Sequence, residues 1–249
     1  MGSLIEEAHD AKIYKGICRS KDVMVKIMNG KLSEVQRDKL GRHVNIVRRI
    51  HHPNILLYLG SCMYKGNLAI VTELVEHNLQ TIVLNPHWHL STVKRLQMAR
   101  DCAFGLNWLH CCDPAYIHGD IRPSNFWLDS NERVKICDFG LAEIKDTKMV
   151  DNPPKAVPAV LERRDARFYA PEVLKGQPRT EKSDVYSFGM LLHFVLTREL
   201  PYNDLEGAYI EDVAGKRWKL FFVLVEWKLL CDGRQVDKQE RSQRWMMGL

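Results

Sequence analysis

One stretch, His118 to Gly140 (HGDIRPSNFWLDSNERVKICDFG), restricts the fold of this 249-residue chain more than any other. It holds, in order, a carboxylate able to accept a hydroxyl proton (Asp120), an amide (Asn125) and an Asp-Phe-Gly that begins at Asp138. Asn125 and Asp138 offer the hard oxygen donors that magnesium takes, and magnesium neutralises the phosphates of a nucleotide. The stretch therefore reads as equipment for phosphoryl transfer. A strand-like Val134 to Cys137 leads into Asp138, and Ala-Pro-Glu follows at Ala170 to Glu172. An unrelated α+β domain with accidental matches is the alternative, and it must explain all of these segments in one order.

These segments resemble the eukaryotic protein kinases, and 54–62 with 67–79 are most similar to the tyrosine-kinase-like, Raf-like group. The resemblance implies an α+β, bilobal fold. Residues 1–75 would form a small β-rich lobe with one helix, 76–214 a larger helical lobe that ends short, and 215–249 a divergent tail. It implies Asp120 as catalytic base, with Arg122 in place of the lysine that helps neutralise the γ-phosphate, and Asn125 and Asp138 as magnesium ligands. Lys26 would hold the α- and β-phosphates. Ile5, Ile13, Thr72, Glu73, Leu74 and Trp127 would surround the base, Thr72 guarding the back and Glu73 and Leu74 starting the hinge. The implied cofactors are ATP and magnesium if the protein is active, and none if it is not.

Composition limits partners and compartment. A net charge of +5 is spread without a Lys/Arg-rich block, which speaks against nucleic acid. Seven cysteines without C-x-x-C spacing read as reduced thiols, so a cytoplasmic location is expected. MGSLIEE lacks the hydroxyl expected for myristoylation, and no apolar run reaches membrane-spanning length. His87 and His89 beside Trp88 have no acid or cysteine at ligand spacing and read as surface histidines.

The departures from the resemblance carry as much information. The three glycines of the phosphate-covering loop fall on Glu6, Ala8 and Ala11, which removes close backbone approach to phosphate and adds a carboxylate. In the alternative, Ala8 and Ala11 only stiffen a hairpin and Glu6 points to solvent. Residues 32–51 read as the regulatory helix, where the acid that should pair with Lys26 falls on His43, and Glu34 and Asp38 lie on the wrong faces. Lys26 is then expected to pair with Asp138. Gly119 replaces an arginine and contributes no charge.

Met24 stands where the family has alanine, and Trp127 where it has a leucine-like residue under the base. The two are expected to meet in the slot that a purine would fill; the alternative turns Trp127 into the large-lobe core. Strands are expected over 13–16 and 22–28, the last two small-lobe strands and the hinge over 54–62 and 67–79, a helix from Ser91 to His110, and a buried helix from Ser183 to Thr197. Asp184 in that helix would anchor the catalytic loop. The segment 141–167 offers Thr147 as a phosphate acceptor, and the substrate-contacting hydroxyl before Ala-Pro-Glu falls on Asp165. Beyond Ala214 a replacement helix, a partner-binding helix or a frame-altered end are all open, the last being favoured.

Two function classes follow. A pseudokinase with impaired ATP binding, working in signalling by binding a protein partner, is favoured by Glu6, Met24, His43, Gly119, Trp127 and Asp165. An active protein Ser/Thr kinase acting on protein hydroxyls is favoured by the retained Lys26, Asp120, Asn125 and Asp138. Asp184→Ala is expected to destabilise the large lobe, and Asp120→Ala to leave the melting temperature and partner binding nearly unchanged.

Overall fold

Period-two burial and tight turns build the first sheet. In the computed structural model, which describes residues 2–7, 11–30, 48, 50–113, 115–138 and 165–202, five antiparallel strands form one sheet. They are β1 (Leu4–Glu7), β2 (Ala11–Cys18), β3 (Lys21–Met28), β4 (Tyr58–Tyr64) and β5 (Asn67–Glu73), ordered β1-β2-β3-β5-β4. Cys18 pairs with Lys21 across a two-residue turn whose Arg19 and Ser20 both have positive φ. Lys65 and Gly66 do the same between Tyr64 and Asn67. Such turns match the right-handed twist of the strands and fix register. The register sets Lys26 opposite Ile13 and Ile70, and Met24 opposite Thr72.

The strand expected over 54–62 begins only at Tyr58. Asn54 to Leu56 leave the small sheet because they bond to the large lobe: Ile136 N–H donates to Asn54 O and Leu56 N–H to Ile136 O, both at 2.9 Å. Asn54 Nδ2 donates to Val134 O at 3.0 Å. Ile50, Ile55 and Leu109 pack as one buried cluster at the same junction. An apolar run alone does not distinguish a strand from a buried connector.

The large lobe carries a three-stranded sheet, β6 (His77–Asn78), β7 (Phe126–Leu128) and β8 (Val134–Ile136), and helices α1 (Leu79–Leu84), α2 (Thr92–His110), α3 (Pro171–Leu174) and α4 (Glu181–Thr197). Ser91 caps α2 by accepting from Lys94 N–H, as its sequence position suggests. Helix α4 starts at Glu181 rather than Ser183, because Thr180 and Ser183 form a reciprocal capping box. It ends at Arg198 in a left-handed conformation. The guanidinium there donates to the carbonyls of Val83, Asn85 and Trp88, satisfying backbone acceptors around the end of α1. The core between α2, α4 and the sheet is built from Met98, Leu106, Phe126, Ile136, Leu191 and Phe194, among others.

Several expectations lie outside the described residues. These are Ala8, most of the regulatory helix with Glu34, Asp38 and His43, Phe139 and Gly140 of Asp-Phe-Gly, 141–164 with Thr147, and everything from 203 to 249. Among the described residues, no helix is long and apolar enough to cross a membrane.

Helix α2 meets the junction through Gly105. A Cβ there would lie 2.6 Å from Asn54 O and 2.8 Å from Ile136 Cδ1. Gly105→Ala must therefore push a backbone segment aside, and a loss of about 2 kcal/mol is expected in chemical denaturation. An unchanged midpoint would mean that the junction yields freely.

Candidate active site

The site is assembled from the catalytic loop outward. Asp184, at the start of α4 and 1% exposed, accepts from the backbone N–H of His118 at 2.7 Å and of Gly119 at 2.8 Å. His110 Nε2 stands 3.0 Å from the same carboxylate. Asp184 thus anchors the loop. Gly119 adopts φ 74, a left-handed conformation free of a Cβ penalty in glycine, so the residue that supplies no charge does supply an unstrained backbone.

His118 is fully buried and joins the loop to the strand before Asp138. Its Nε2 lies 3.1 Å from Cys137 O, and since a carbonyl only accepts, this nitrogen carries the proton. Nδ1 then accepts from Asp120 N–H at 3.2 Å. Burial holds the imidazole pKa below its ordinary value against the opposing pull of Asp184, Asp120 and Asp138. The ring is neutral, with a fixed tautomer. Cys137 N–H in turn donates to Asn125 O at 3.0 Å, closing the frame.

Within it, Asn125 Nδ2 donates to the Asp120 backbone carbonyl at 2.6 Å and to Asp120 Oδ2 at 2.9 Å. This leaves its side-chain oxygen as the group suited to a cation. Arg122 Nε stands 3.4 Å from Asp120 Oδ1. Across the cleft, the Lys26 ammonium is ion-paired with the Asp138 carboxylate. Both heads are largely buried, a setting in which an ammonium needs a partner. Glu6 is half-buried beside this pair rather than directed to solvent: burial raises its carboxyl above the ordinary 4.5, and the positive Lys26 opposes that rise.

Alternation along β7 decides the Trp127 question. Phe126 and Leu128 face the large-lobe core, so Trp127 faces the other way. It is 3% exposed and shares a buried cluster with Met24, Ile13, Leu56, Val75 and Cys137, with Ile5 and Leu74 packed against it. The slot walls expected from the sequence thus gather into one apolar unit, in which Met24 is also 3% exposed.

Thr72 and Glu73 behave differently. Thr72 is buried and gives its hydroxyl to Glu73 O at 3.0 Å. Glu73 N–H is taken by Leu57 O, and its carboxylate accepts from Leu57 N–H and pairs with Lys135 Nζ, each at 2.8 Å. Its side chain is a clasp between the end of β5 and β8. Sequence reasoning missed Lys135 because a lysine inside a strand carries no pairing signal.

Comparison with known proteins agrees with this geometry. The family profile for protein tyrosine and serine/threonine kinases matches residues 1–220. The dual specificity protein kinase shkA of Dictyostelium discoideum is 40% identical over 212 residues, covering 83% of this chain and 39% of shkA. The dual specificity protein kinase shkC of the same organism is 40% identical over 203 residues, covering 80% of this chain and 39% of its own. The serine/threonine-protein kinase CTR1 of Arabidopsis thaliana is 33% identical over 211 residues, 83% of this chain and 25% of its own. The chain spans well under half the length of each of these relatives.

Two measurements test the frame. Asp184→Ala strands two buried backbone donors, and a loss of about 3 kcal/mol of unfolding free energy is expected. Asp120 is itself buried and bonded, so the idea that Asp120→Ala is thermally silent gives way to an expected loss of about 1.5 kcal/mol. Equal, negligible losses would contradict both.

Glu6 supplies a pH dependence. A carboxyl whose pKa is raised by folding lends stability that is full below its unfolded value and is lost as pH rises through the folded value. Glu6→Gln should therefore melt higher than wild type at pH 7, with the gap closing as pH falls below the ordinary 4.5. A gap independent of pH would remove Glu6 from this account.

Proposed function

Because the chain belongs to the protein tyrosine and serine/threonine kinase family, we propose that it is a pseudokinase domain that binds ATP weakly and works in signalling by docking a protein partner. The observation that carries this reading is the cluster of Met24 and Trp127 with Ile13, Leu56, Val75 and Cys137, each at most 6% exposed. A purine entering between the lobes must first separate them. Removing buried contacts in a close-packed interior costs several kcal/mol, comparable to what a nucleotide base gains by stacking there.

Protein kinases use ATP and magnesium, and the residues present fit the two halves of that cofactor unequally. The Asn125 side-chain oxygen and the Asp138 carboxylate are of the type magnesium accepts, although Asp138 is engaged with Lys26. Among the described residues no group of three His, Cys, Asp or Glu gathers to bind a metal, so a magnesium ion would rely on phosphate oxygens as well. The apolar slot does not fit the base. Lys26 neutralises Asp138, and Glu6 adds negative charge where phosphates would approach.

A second reading, an active kinase that phosphorylates protein hydroxyls, is favoured by the convergence of Asp120 and Asn125 on one hydrogen-bonded frame. It is also favoured by the relatives, which are named as dual specificity and serine/threonine kinases. In both readings the counterpart is a protein, as substrate or as partner, and not a nucleic acid.

Calorimetric titration of ATP, with and without magnesium, separates the readings. Wild type should give no saturable heat at micromolar nucleotide, and Met24→Ala/Trp127→Leu should bind at about 10–100 μM, a gain of about 1–3 kcal/mol. Micromolar, magnesium-dependent binding by wild type would overturn the pseudokinase reading and favour the active one.

A further inference from the structure

The position expected to offer a substrate-contacting hydroxyl is Asp165, yet a hydroxyl does reach the catalytic loop from the same segment. Tyr169 Oη donates to Asp120 Oδ1 at 2.6 Å. The other carboxylate oxygen accepts from Asn125 Nδ2 at 2.9 Å, so both oxygens carry donors from this chain.

The phenol is built in rather than resting on the surface. Tyr169 is 7% exposed and lies in the large-lobe core cluster with Phe168. Its N–H donates to Ala166 O at 3.3 Å, and the Arg179 guanidinium lies 5.9 Å from its ring centroid. Burial and the neighbouring Asp120 charge raise its ionisation well above the ordinary phenol value, so at neutral pH it is an O–H donor.

A general base acts on a hydroxyl held within hydrogen-bond reach of its oxygen. We infer that Tyr169 is the resident occupant of that position on Asp120: a phenol of this chain fills the acceptor-hydroxyl site, and an incoming Ser, Thr or Tyr hydroxyl of a protein must displace it. This rests on Asp120 being the base of the kinase-like site. The occupant is intramolecular and already oriented, so an external hydroxyl at micromolar concentration competes poorly with it. Tyr169 is in this sense a gate on the acceptor side, independent of the apolar slot on the nucleotide side. Opening the slot alone leaves Asp120 occupied.

Tyr169→Phe removes one oxygen and keeps the ring beneath Arg179. The first readout needs no nucleotide. In the proton NMR spectrum of the whole chain, a slowly exchanging hydroxyl resonance is expected that disappears in both Tyr169→Phe and Asp120→Ala; its absence from wild type overturns the inference. The second compares Met24→Ala/Trp127→Leu with and without Tyr169→Phe for phosphate transfer from magnesium ATP to a mixture of Ser-, Thr- and Tyr-containing peptides.

Removing the phenol should raise transfer about tenfold, the worth of one hydrogen bond to a carboxylate, by lowering KM for peptide with KM for ATP unchanged. Equal transfer with and without the phenol, none included, overturns the inference when calorimetry shows ATP bound to both. If calorimetry shows ATP bound to neither, the slot-filling account has failed, and the hydroxyl resonance alone decides for or against Tyr169.

Discussion

The carboxylate of Asp184 is the constraint on which the rest of the site depends. It sits at the first turn of a helix buried along most of its length, and it receives two consecutive backbone N–H groups from the loop that carries Asp120. A loop held by side chain to side chain contacts could shift with each rotamer; one held through its own backbone cannot. From His118 onward the geometry propagates by obligatory bonds: imidazole to Cys137 carbonyl, Cys137 amide to Asn125 carbonyl, and Asn125 amide to Asp120. Every group in that chain has one role that chemistry permits, which is why the neutral tautomer of His118 can be read from its partners.

Much of this was legible in the sequence, for reasons that differ by residue. The order of the motifs fixed the family, and the alternation of side chains on a short strand made a Trp127 directed at Met24 the natural outcome once Phe126 and Leu128 were core residues. The pairing of Lys26 with Asp138 followed from the cost of leaving an ammonium alone in a cleft.

What the sequence hid were contacts whose partners lie far apart in the chain and whose residue types give no local signal. Glu73, expected at the start of the hinge, also clasps Lys135 through its carboxylate; Asn54 to Leu56 looked like a strand and proved to be a connector. Tyr169 looked like part of the approach to Ala-Pro-Glu, and only the folded chain brings its hydroxyl to Asp120. Asp120 was legible as chemistry but not as a structural residue, since nothing in its neighbours announces how deeply it is buried.

The junction around Asn54 also has a consequence for how the protein is made. Asn54 bonds to Val134, which lies 80 residues further along, and Gly105 lets the intervening helix close over Asn54 and Ile136. As the chain leaves the ribosome, its first sheet is complete in sequence well before the strand that anchors its connector has been synthesised. Non-local pairing of this kind delays cooperative closure until the distant segment arrives. The small lobe therefore spends its early life with Ile50, Ile55 and Leu56 uncovered, the interval in which a nascent chain is most open to capture by chaperones.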